Sequence, residues 1–226
     1  MANENQWCFA WMHQKPRDEA TKAALVKAAK WKSGDIITVS FLDGVPSIQE
    51  KIKQVARTWV KPGMANLKLD FRNDNNTDIR ISFRHRGSWS TIGTECRFVD
   101  KPDATMNYGW LDENSTDDEL RRVVLHEFGH ALGLVHEHQN PAGGIQWNRA
   151  AVIAELSGSP NNWSLEDIEH NMFEPQAASQ TNFTDLDVDS IMMYPIPANW
   201  TTNGFSIGLN DDFSAADKNF IRQQYS

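Results

Sequence analysis

The chain has 226 residues, of which 40% are apolar and 23% are charged, and its formal net charge is −8. This composition predicts a folded domain with a sizeable core and excludes a disordered chain. The acidic balance and the lack of a basic run argue against nucleic acid and against an anionic membrane as partners. No apolar stretch approaches the roughly 20 residues that a membrane-spanning helix needs, so no membrane span is expected.

Residues 1–30 show no strong periodicity, and we interpret them as an N-terminal extension, either a pro-like segment or a packing segment. The extension lacks the basic start and apolar core of a signal peptide. Cys8 and Cys96 are the two cysteines of the chain. They allow at most one disulfide, and two free thiols are the alternative.

Regular elements are predicted throughout residues 31–133. Alternating apolar residues predict strands at 36–41, 67–71 and 79–83, with a further strand near 104–110. Two long amphipathic helices are also predicted. The first has Ser47 and Glu50 as a capping box and stops at Pro62-Gly63, and the second begins after Thr116, with Glu119 as its capping partner. A twisted mixed sheet with two long helices is an α+β arrangement.

Residues 134–226 have a different character, with loops rich in Asn, Gly and Pro and two short helices, in SLEDIEHNMF and SAADKNFIRQQY. We therefore predict one domain over residues 31–226. Its upper lobe, residues 31–133, is built on the sheet. Its lower lobe, residues 134–226, is irregular, and a cleft separates the two.

The segment HEFGHALGLVHEH, residues 126–138, contains four of the seven histidines of the chain. His126 and His130 are four residues apart on the second helix, so their imidazoles leave the same face and can reach one Zn²⁺. Gly133 can adopt the positive φ that turns the chain and returns His136 as a third ligand. Glu127 is placed to accept a proton from the attacking water without being a ligand. Three histidines and an open position are typical of a catalytic zinc site.

The sequence also offers alternatives to this zinc site. A solvated helix rich in histidine would not require the complete H-E-x-x-H-x-x-G-x-x-H pattern. A glutamate such as Glu155 is the third ligand that a thermolysin-like enzyme would use, but His136 is a complete competitor. His138 is expected to be exposed or to lie beside the ligands, because a fourth histidine ligand would close the site.

The zinc pattern resembles that of the metzincin metallopeptidases at every position. The segment SIMMYP, residues 190–195, resembles the methionine turn of their astacin-like branch. The resemblance places Met192 beneath the metal and makes Tyr194 an additional zinc ligand that swings out to stabilise the oxyanion. Glu137 is also astacin-like, and in astacins that residue meets the mature N-terminus. The two disulfides usual in astacins cannot form in a chain with two cysteines.

The resemblance implies a metzincin-type fold and a zinc endopeptidase with Glu127 as general base. It also implies a protein or peptide substrate, bound as an extended strand along an edge strand at 104–110. The candidate substrate-binding residues there are Thr105, Met106, Asn107 and Tyr108. A proteolytic effector of narrow specificity is one alternative. A zinc-binding recognition module without turnover is another, but Glu127 argues against it. We expect a monomer, and the resemblance favours secretion, with a cytosolic location as the alternative.

Several further residues have weaker functional interpretations. Cys8 is more consistent with an inert or disulfide-linked cysteine than with a thiolate that caps the zinc and makes residues 1–30 inhibitory. The acidic segment DLDVDS, residues 185–190, departs from the EF-hand pattern, so Ca²⁺ is not supported and a solvated loop is expected. The remaining histidines are interpreted as solvated or core residues: His13, His85 and His170.

Overall fold

The computed structural model describes residues 8–11, 29–140, 144–159, 161–174 and 185–226, with the first of these ranges described by its backbone alone. The described strands form one mixed six-stranded sheet: β1 Cys8–Trp11, β2 Ile36–Phe41, β3 Lys68–Phe71, β4 Ile79–Ser82, β5 Ser88–Thr91 and β6 Met106–Tyr108. The α-helices are α1 Pro46–Ala56, α2 Asp117–Ala131, α3 Arg149–Leu156, α4 Leu165–Ile168 and α5 Ala215–Gln224. The predicted mixed sheet with two long helices is confirmed.

The strand order is β1-β5-β6-β4-β2-β3, and every pairing is parallel except that of β5 with β6. The predicted strands at 36–41, 67–71 and 79–83 are present as β2, β3 and β4. In β4 the predicted half-buried alternation is wrong, because all four residues are buried. Arg80 is fully buried there, and its guanidinium donates hydrogen bonds to the carbonyls of Thr77, Val99 and Asp103.

The strand predicted near 104–110 is present as β6, but its prediction as an edge strand is wrong. It lies between β4 and β5 and pairs with both, so its backbone has no free edge for a substrate. The four residues proposed there as substrate-binding are at most 1% exposed: Thr105, Met106, Asn107 and Tyr108. The buried sheet explains the apolar pattern that suggested the strand.

The far side of β6 carries two strands that the sequence pattern did not predict. β5 has the sequence SWST, whose polar residues give no apolar alternation. β1 pairs with the outer edge of β5 in parallel, from Cys8 opposite Ser88 to Trp11 opposite Thr91. Both strands contact α2. An extended segment of the N-terminal extension therefore lies along the sheet edge beside the helix that bears His126 and His130.

The two long helices pack together on the sheet. α1 begins at Pro46, and Val45 precedes it without any side-chain cap. The capping box predicted for Ser47 and Glu50 is therefore wrong, and the Ser47 hydroxyl instead donates to Glu113. A 3-10 helix, Arg57–Val60, continues α1.

In α2 the Thr116 half of the predicted capping box is present, since the Thr116 side chain accepts a hydrogen bond from the Glu119 backbone N–H. Trp59, which is fully buried, donates to the Leu125 carbonyl of this helix. The 3-10 extension of α1 is thereby anchored against the middle of α2.

Beyond α2 the described helices are short, and the chain turns back on the upper lobe at its C-terminal helix. The Tyr225 hydroxyl donates to the Leu132 carbonyl at 2.6 Å, and the Tyr225 carbonyl accepts from the Asn66 N–H at 2.9 Å. The residues after α5 therefore hold the end of α2, although they belong to the range predicted as the lower lobe. Among the described residues, no helix has the length and apolar character needed to cross a membrane.

Candidate metal centre

Three histidines from α2 and the segment after it converge on one point. His126, His130 and His136 are at most 4% exposed, and their ligand nitrogens all lie within 4.8 Å of one another. The Nε2 atom of His130 is 3.2 Å from that of His126 and 3.1 Å from that of His136. Nitrogens on a tetrahedral zinc with bonds of about 2.0–2.1 Å would be about 3.3–3.4 Å apart, so the spacing suits this ion.

The protonation of the rings shows why a cation belongs among them. The Nδ1 of His126 lies 2.8 Å from the Ile191 carbonyl, and that of His130 lies 2.9 Å from the Leu134 carbonyl. A carbonyl only accepts, so each Nδ1 carries the proton and donates it. Burial lowers the pKa of His130 to about 4, so this ring is neutral near pH 7. Its unprotonated Nε2 faces the Nε2 atoms of the other imidazoles, and the lone pairs of these nitrogens repel one another. A metal ion among them would accept these lone pairs and so remove the repulsion.

The other two ligands are neutral for the same reason. Burial, and then the neighbouring histidines, lower the pKa of His126 and His136 well below 6.5. The chemistry of the donor set is therefore that of three neutral imidazoles in a buried position, which bind zinc. This buried cluster holds the catalytic zinc of the protein, as the motif predicted.

The return of His136 depends on the turn that ends α2. Gly133 has a φ of +94°, a conformation that strains a residue with a Cβ, and this confirms the predicted role of the glycine. The Gly133 N–H donates to the His130 carbonyl and the Leu134 N–H to the Gly129 carbonyl. These bonds close the helix end so that the chain reverses within three residues of His130.

The segment predicted to be the methionine turn packs against the ligand helix. Met192 is 2% exposed, and a Cβ built on Gly129 of α2 would lie 2.3 Å from its Sδ. The small glycine thus lets the methionine pack directly against the ligand helix between His126 and His130. The Glu137 N–H donates to the Met192 carbonyl at 2.9 Å, which joins the turn to the segment after the third ligand.

A residue that the sequence analysis missed holds this turn. Asp217, in the first turn of α5, accepts hydrogen bonds from the Ser190 hydroxyl at 2.7 Å and from the Ile191 N–H at 2.8 Å. The Ile191 carbonyl is the acceptor for His126, so Asp217 supports a zinc ligand through one residue of backbone. The visible signal was the S-x-x-D pattern of Ser214 and Asp217, which forms a capping box.

Tyr194 lies against the histidine cluster, as its position in the motif suggested. Its ring centroid is 4.2 Å from that of His136 and 5.8 Å from that of His126, and the residue is 2% exposed. His138 stacks on Tyr194 as well, with ring centroids 4.7 Å apart, and also on His136 at 5.1 Å. His138 is buried beside the ligands and its Nε2 bonds to the Asn171 carbonyl, so it is not exposed and its Nε2 is turned to the backbone.

Two carboxylates flank the ligands in the sequence. Glu127 is fully buried on α2, beside His126. Glu137 accepts hydrogen bonds from the Asn140 side chain at 2.9 Å and from the Asp187 N–H at 3.1 Å. Burial raises the pKa of Glu137, and these two hydrogen bonds oppose the rise.

The weaker candidates lie elsewhere. The Glu155 carboxylate accepts a hydrogen bond from the Trp200 indole at 2.7 Å, so His136 is the third ligand and Glu155 is not. Cys96 is a buried free thiol, and burial raises its pKa to about 12. The side chain of Cys8 lies outside the described residues, as does His13. Asp187 accepts from the Ser214 hydroxyl and so joins the packing of α5.

Comparison with known proteins supports the same assignment. The family model described as Astacin (Peptidase family M12A) matches residues 24–226. A structure of myroilysin aligns with a TM-score of 0.84 at 41% identity, covering 88% of this chain and 97% of that one. A crystal structure of myroilysin aligns with a TM-score of 0.68 at 36% identity, covering 96% and 99%.

A more distant structure shares the fold. High choriolytic enzyme 1, a hatching enzyme zinc-protease from the medaka fish Oryzias latipes, aligns with a TM-score of 0.58 at 18% identity, covering 88% of this chain and 95% of that one. No protein with a curated description matches the chain. The astacin-like metzincin fold predicted from the two motifs is thus confirmed.

Proposed function

Because the chain belongs to the astacin family of zinc endopeptidases, we propose that Glu127 is the general base and Tyr194 the oxyanion donor in its hydrolysis of peptide bonds. The observations that support this proposal are the full burial of Glu127 next to His126 on the ligand helix and the contact of the Tyr194 ring with His136. When bound, the zinc ion lowers the pKa of a water to about 7 and polarises a carbonyl.

Glu127 is the proton carrier. Its carboxylate is buried next to His126, where a low dielectric strengthens its interaction with a reacting proton. It accepts the proton of the attacking water and later delivers a proton to the leaving amine. A base of this kind typically contributes about 10²–10⁴-fold in rate.

Tyr194 lies against the cluster and carries a hydroxyl that can donate one hydrogen bond. Its ring contacts His136, so a small rotation of the side chain moves the hydroxyl relative to the ligands. Donation to the tetrahedral oxyanion would stabilise the transition state by roughly 2.7–4 kcal/mol. The same residue is the candidate for an additional ligand before substrate binds.

The substrate is proposed to bind along β5 in place of the edge first predicted at 104–110. The outer edge of β5 accepts an extended chain, since β1 pairs with it in the structure. β5 contacts the ligand helix α2, so a peptide on this edge would lie beside the helix that carries His126 and His130. Backbone pairing is independent of side chains and therefore suits a protein substrate.

The N-terminal extension is proposed to act as a pro-like segment. β1 occupies the edge that the substrate needs, and the family match begins only at residue 24. Because β1 pairs with β5 through backbone hydrogen bonds, it competes directly with an extended peptide. A packing segment with no effect on activity is the alternative.

Mass spectrometry of a peptide-library digest tests the proposed roles. The intact protein, the Glu127→Ala variant and a chain that starts at residue 24 are compared, with and without a chelator. Glu127→Ala should keep its zinc but lose hydrolysis, whereas Glu119→Ala, near the start of the same helix, should keep both. Activity retained in Glu127→Ala would show that the base is another residue.

The same digest tests the N-terminal extension and the range of substrates. Removal of residues 1–23 should raise the initial rate, and an unchanged rate would favour the packing alternative. Cleavage of many library peptides indicates a general endopeptidase. Cleavage of one or two would favour a proteolytic effector of narrow specificity.

A further inference from the structure

His138 lies in a position that the proposed mechanism does not use. It follows the third ligand by two residues, in the 3-10 helix Glu137–Gln139, and it is 4% exposed. Its ring stacks on Tyr194 with an interplanar angle of 26° and on His136 with an angle of 22°. The ring of Trp147 meets it edge-on at 6.0 Å. His138 is therefore packed on several sides, and one of them is the face of Tyr194.

The imidazole of His138 is also held from behind. Its Nε2 lies 2.7 Å from the Asn171 carbonyl and donates to it, because a carbonyl only accepts. Gln139 donates to the His170 carbonyl at 2.6 Å and to the Glu174 carbonyl at 3.1 Å. These carbonyls lie in and just after the π-helical turn Glu169–Phe173, where helix ends leave acceptors without an intrahelical donor.

His138 thus links the π-helical turn to Tyr194: its Nε2 is bonded to the turn, and its ring stacks on the tyrosine. The ring of His138 has a fixed plane, because its Nε2 is tied to the backbone and its faces are packed. If the Tyr194 side chain moves between two positions, its ring needs a rigid packing surface. Without one, the ring would sample other rotamers. Stacking on the His138 ring supplies such a surface without blocking the Tyr194 hydroxyl.

We infer that His138 is a positioning residue that holds the ring of Tyr194 in the orientation required for its hydroxyl to reach the reacting carbonyl. This inference rests on the role proposed for Tyr194. His138 itself touches neither the substrate nor the reacting atoms. Its effect should therefore appear in kcat and vanish when the hydroxyl of Tyr194 is absent.

The first test reads the ring of Tyr194 directly. The chain has three tyrosines, so protein labelled with 3-fluorotyrosine gives three ¹⁹F lines, which Tyr194→Phe assigns. In zinc-loaded and in metal-free protein, His138→Ala should broaden or split the line of Tyr194 and leave those of Tyr108 and Tyr225 unchanged. A Tyr194 line that is displaced but stays single and narrow would overturn the inference.

The second test is a double-mutant cycle on a fluorogenic peptide. His138→Ala should lower kcat roughly 3- to 10-fold at unchanged KM, the range expected when an aromatic stack of moderate strength is lost. In a Tyr194→Phe background the same substitution should cause no further loss. An equal loss in both backgrounds would show that His138 acts independently of Tyr194.

Two further variants separate positioning from general stability. His138→Phe keeps a ring on the face of Tyr194 but loses the bond to Asn171, so its kcat should lie between those of the intact protein and His138→Ala. His170→Ala removes an imidazole from the π-helical turn to which His138 is bonded, on a side chain that is 36% exposed, and should change neither kcat nor the ¹⁹F line of Tyr194.

Zinc content, measured for every variant, completes the test. Loss of zinc from both His138 variants would assign a structural role to the residue and overturn the inference. An unchanged kcat in Tyr194→Phe would instead refute the proposed role of Tyr194. The line width of Tyr194 would then decide alone whether His138 holds its ring.

Discussion

The two halves of the chain build their shares of the zinc site by different means. In residues 31–133 the spacing of a regular helix places His126 and His130, and backbone hydrogen bonds carry the geometry. In residues 134–226 the supports are side chains that bind backbone: Asp217 holds the methionine turn, and His138 holds the π-helical turn. A regular element thus tolerates the loss of single side chains better than a loop that depends on one carboxylate.

The largest effect is expected for Asp217→Ala, which tests how far residues 134–226 depend on a single side chain. The substitution removes the cap of α5 and leaves the buried Ile191 N–H without its acceptor, which should cost roughly 2–4 kcal/mol of unfolding free energy. Zinc affinity should fall as well, since Ile191 orients His126. Chemical denaturation and zinc titration measure both effects.

The matched control is Asp211→Ala, an exposed acidic residue of the neighbouring loop. It should change neither stability nor zinc affinity. If Asp217→Ala lost stability but kept its zinc affinity, the methionine turn would not depend on α5 in the way described.

The boundary between the two halves is tested at Gly133. With a φ of +94°, Gly133→Ala should cost roughly 1–2 kcal/mol through backbone strain. It should also weaken zinc binding, because His136 follows the same turn. Gly63 has a φ of +87°, and a Cβ at this position would meet nothing within 4 Å, so Gly63→Ala carries similar strain away from the site. Equal zinc affinities in the two variants would contradict the role assigned to Gly133.

A smaller effect is expected for a side-chain cap in the regular half. Thr116→Ala should lower the unfolding free energy by about 1 kcal/mol, because one orphan N–H of α2 loses its acceptor. The rest of the helix keeps its backbone bonds, so kcat and zinc content should stay unchanged. A clear loss of zinc would show that the ligand helix depends on its first turn.

The smallest effect concerns the response of the sheet to pH. Burial raises the pKa of Asp78, but hydrogen bonds from Thr38 and the pairing with Arg97 outweigh it and hold the pKa below 3.8. A folded-state pKa below the unfolded one contributes stability that is present above the unfolded pKa and lost as the pH falls through the folded pKa.

Denaturation midpoints measured from about pH 5 downwards test this contribution. They should decline less steeply in Asp78→Asn than in the intact protein. Asp70→Asn, on β3 with a side chain 44% exposed, is the comparison variant and should follow the intact protein. If the denaturation midpoints of all three proteins fell in parallel as the pH is lowered, Asp78 would make no contribution to the loss of stability in acid.

The features that could be predicted from the sequence are those determined by local patterns. The strands β2 to β4, the helix α2 with its Thr116 cap, and the ligands His126, His130 and His136 follow from periodicity and spacing, which are local properties. The turn at Gly133 could be predicted because few residue types other than glycine adopt a positive φ without strain. These features need no knowledge of distant parts of the chain.

The features that the pattern missed depend on contacts between distant segments. β5 has the polar sequence SWST although three of its four residues are buried, so no apolar alternation marks it. The 104–110 strand was misplaced at the edge because strand order is not encoded in the strand itself. Asp217 lies far along the chain from His126, and a capping pattern alone does not tell which loop its carboxylate reaches.

The bond between His126 and the Ile191 carbonyl joins residues 65 positions apart. During synthesis, a ribosome that has released the ligand segment alone has made every imidazole of the motif but not the Ile191 carbonyl that orients His126. Hydrolytic competence therefore arises late, after the methionine turn and α5 have emerged and docked.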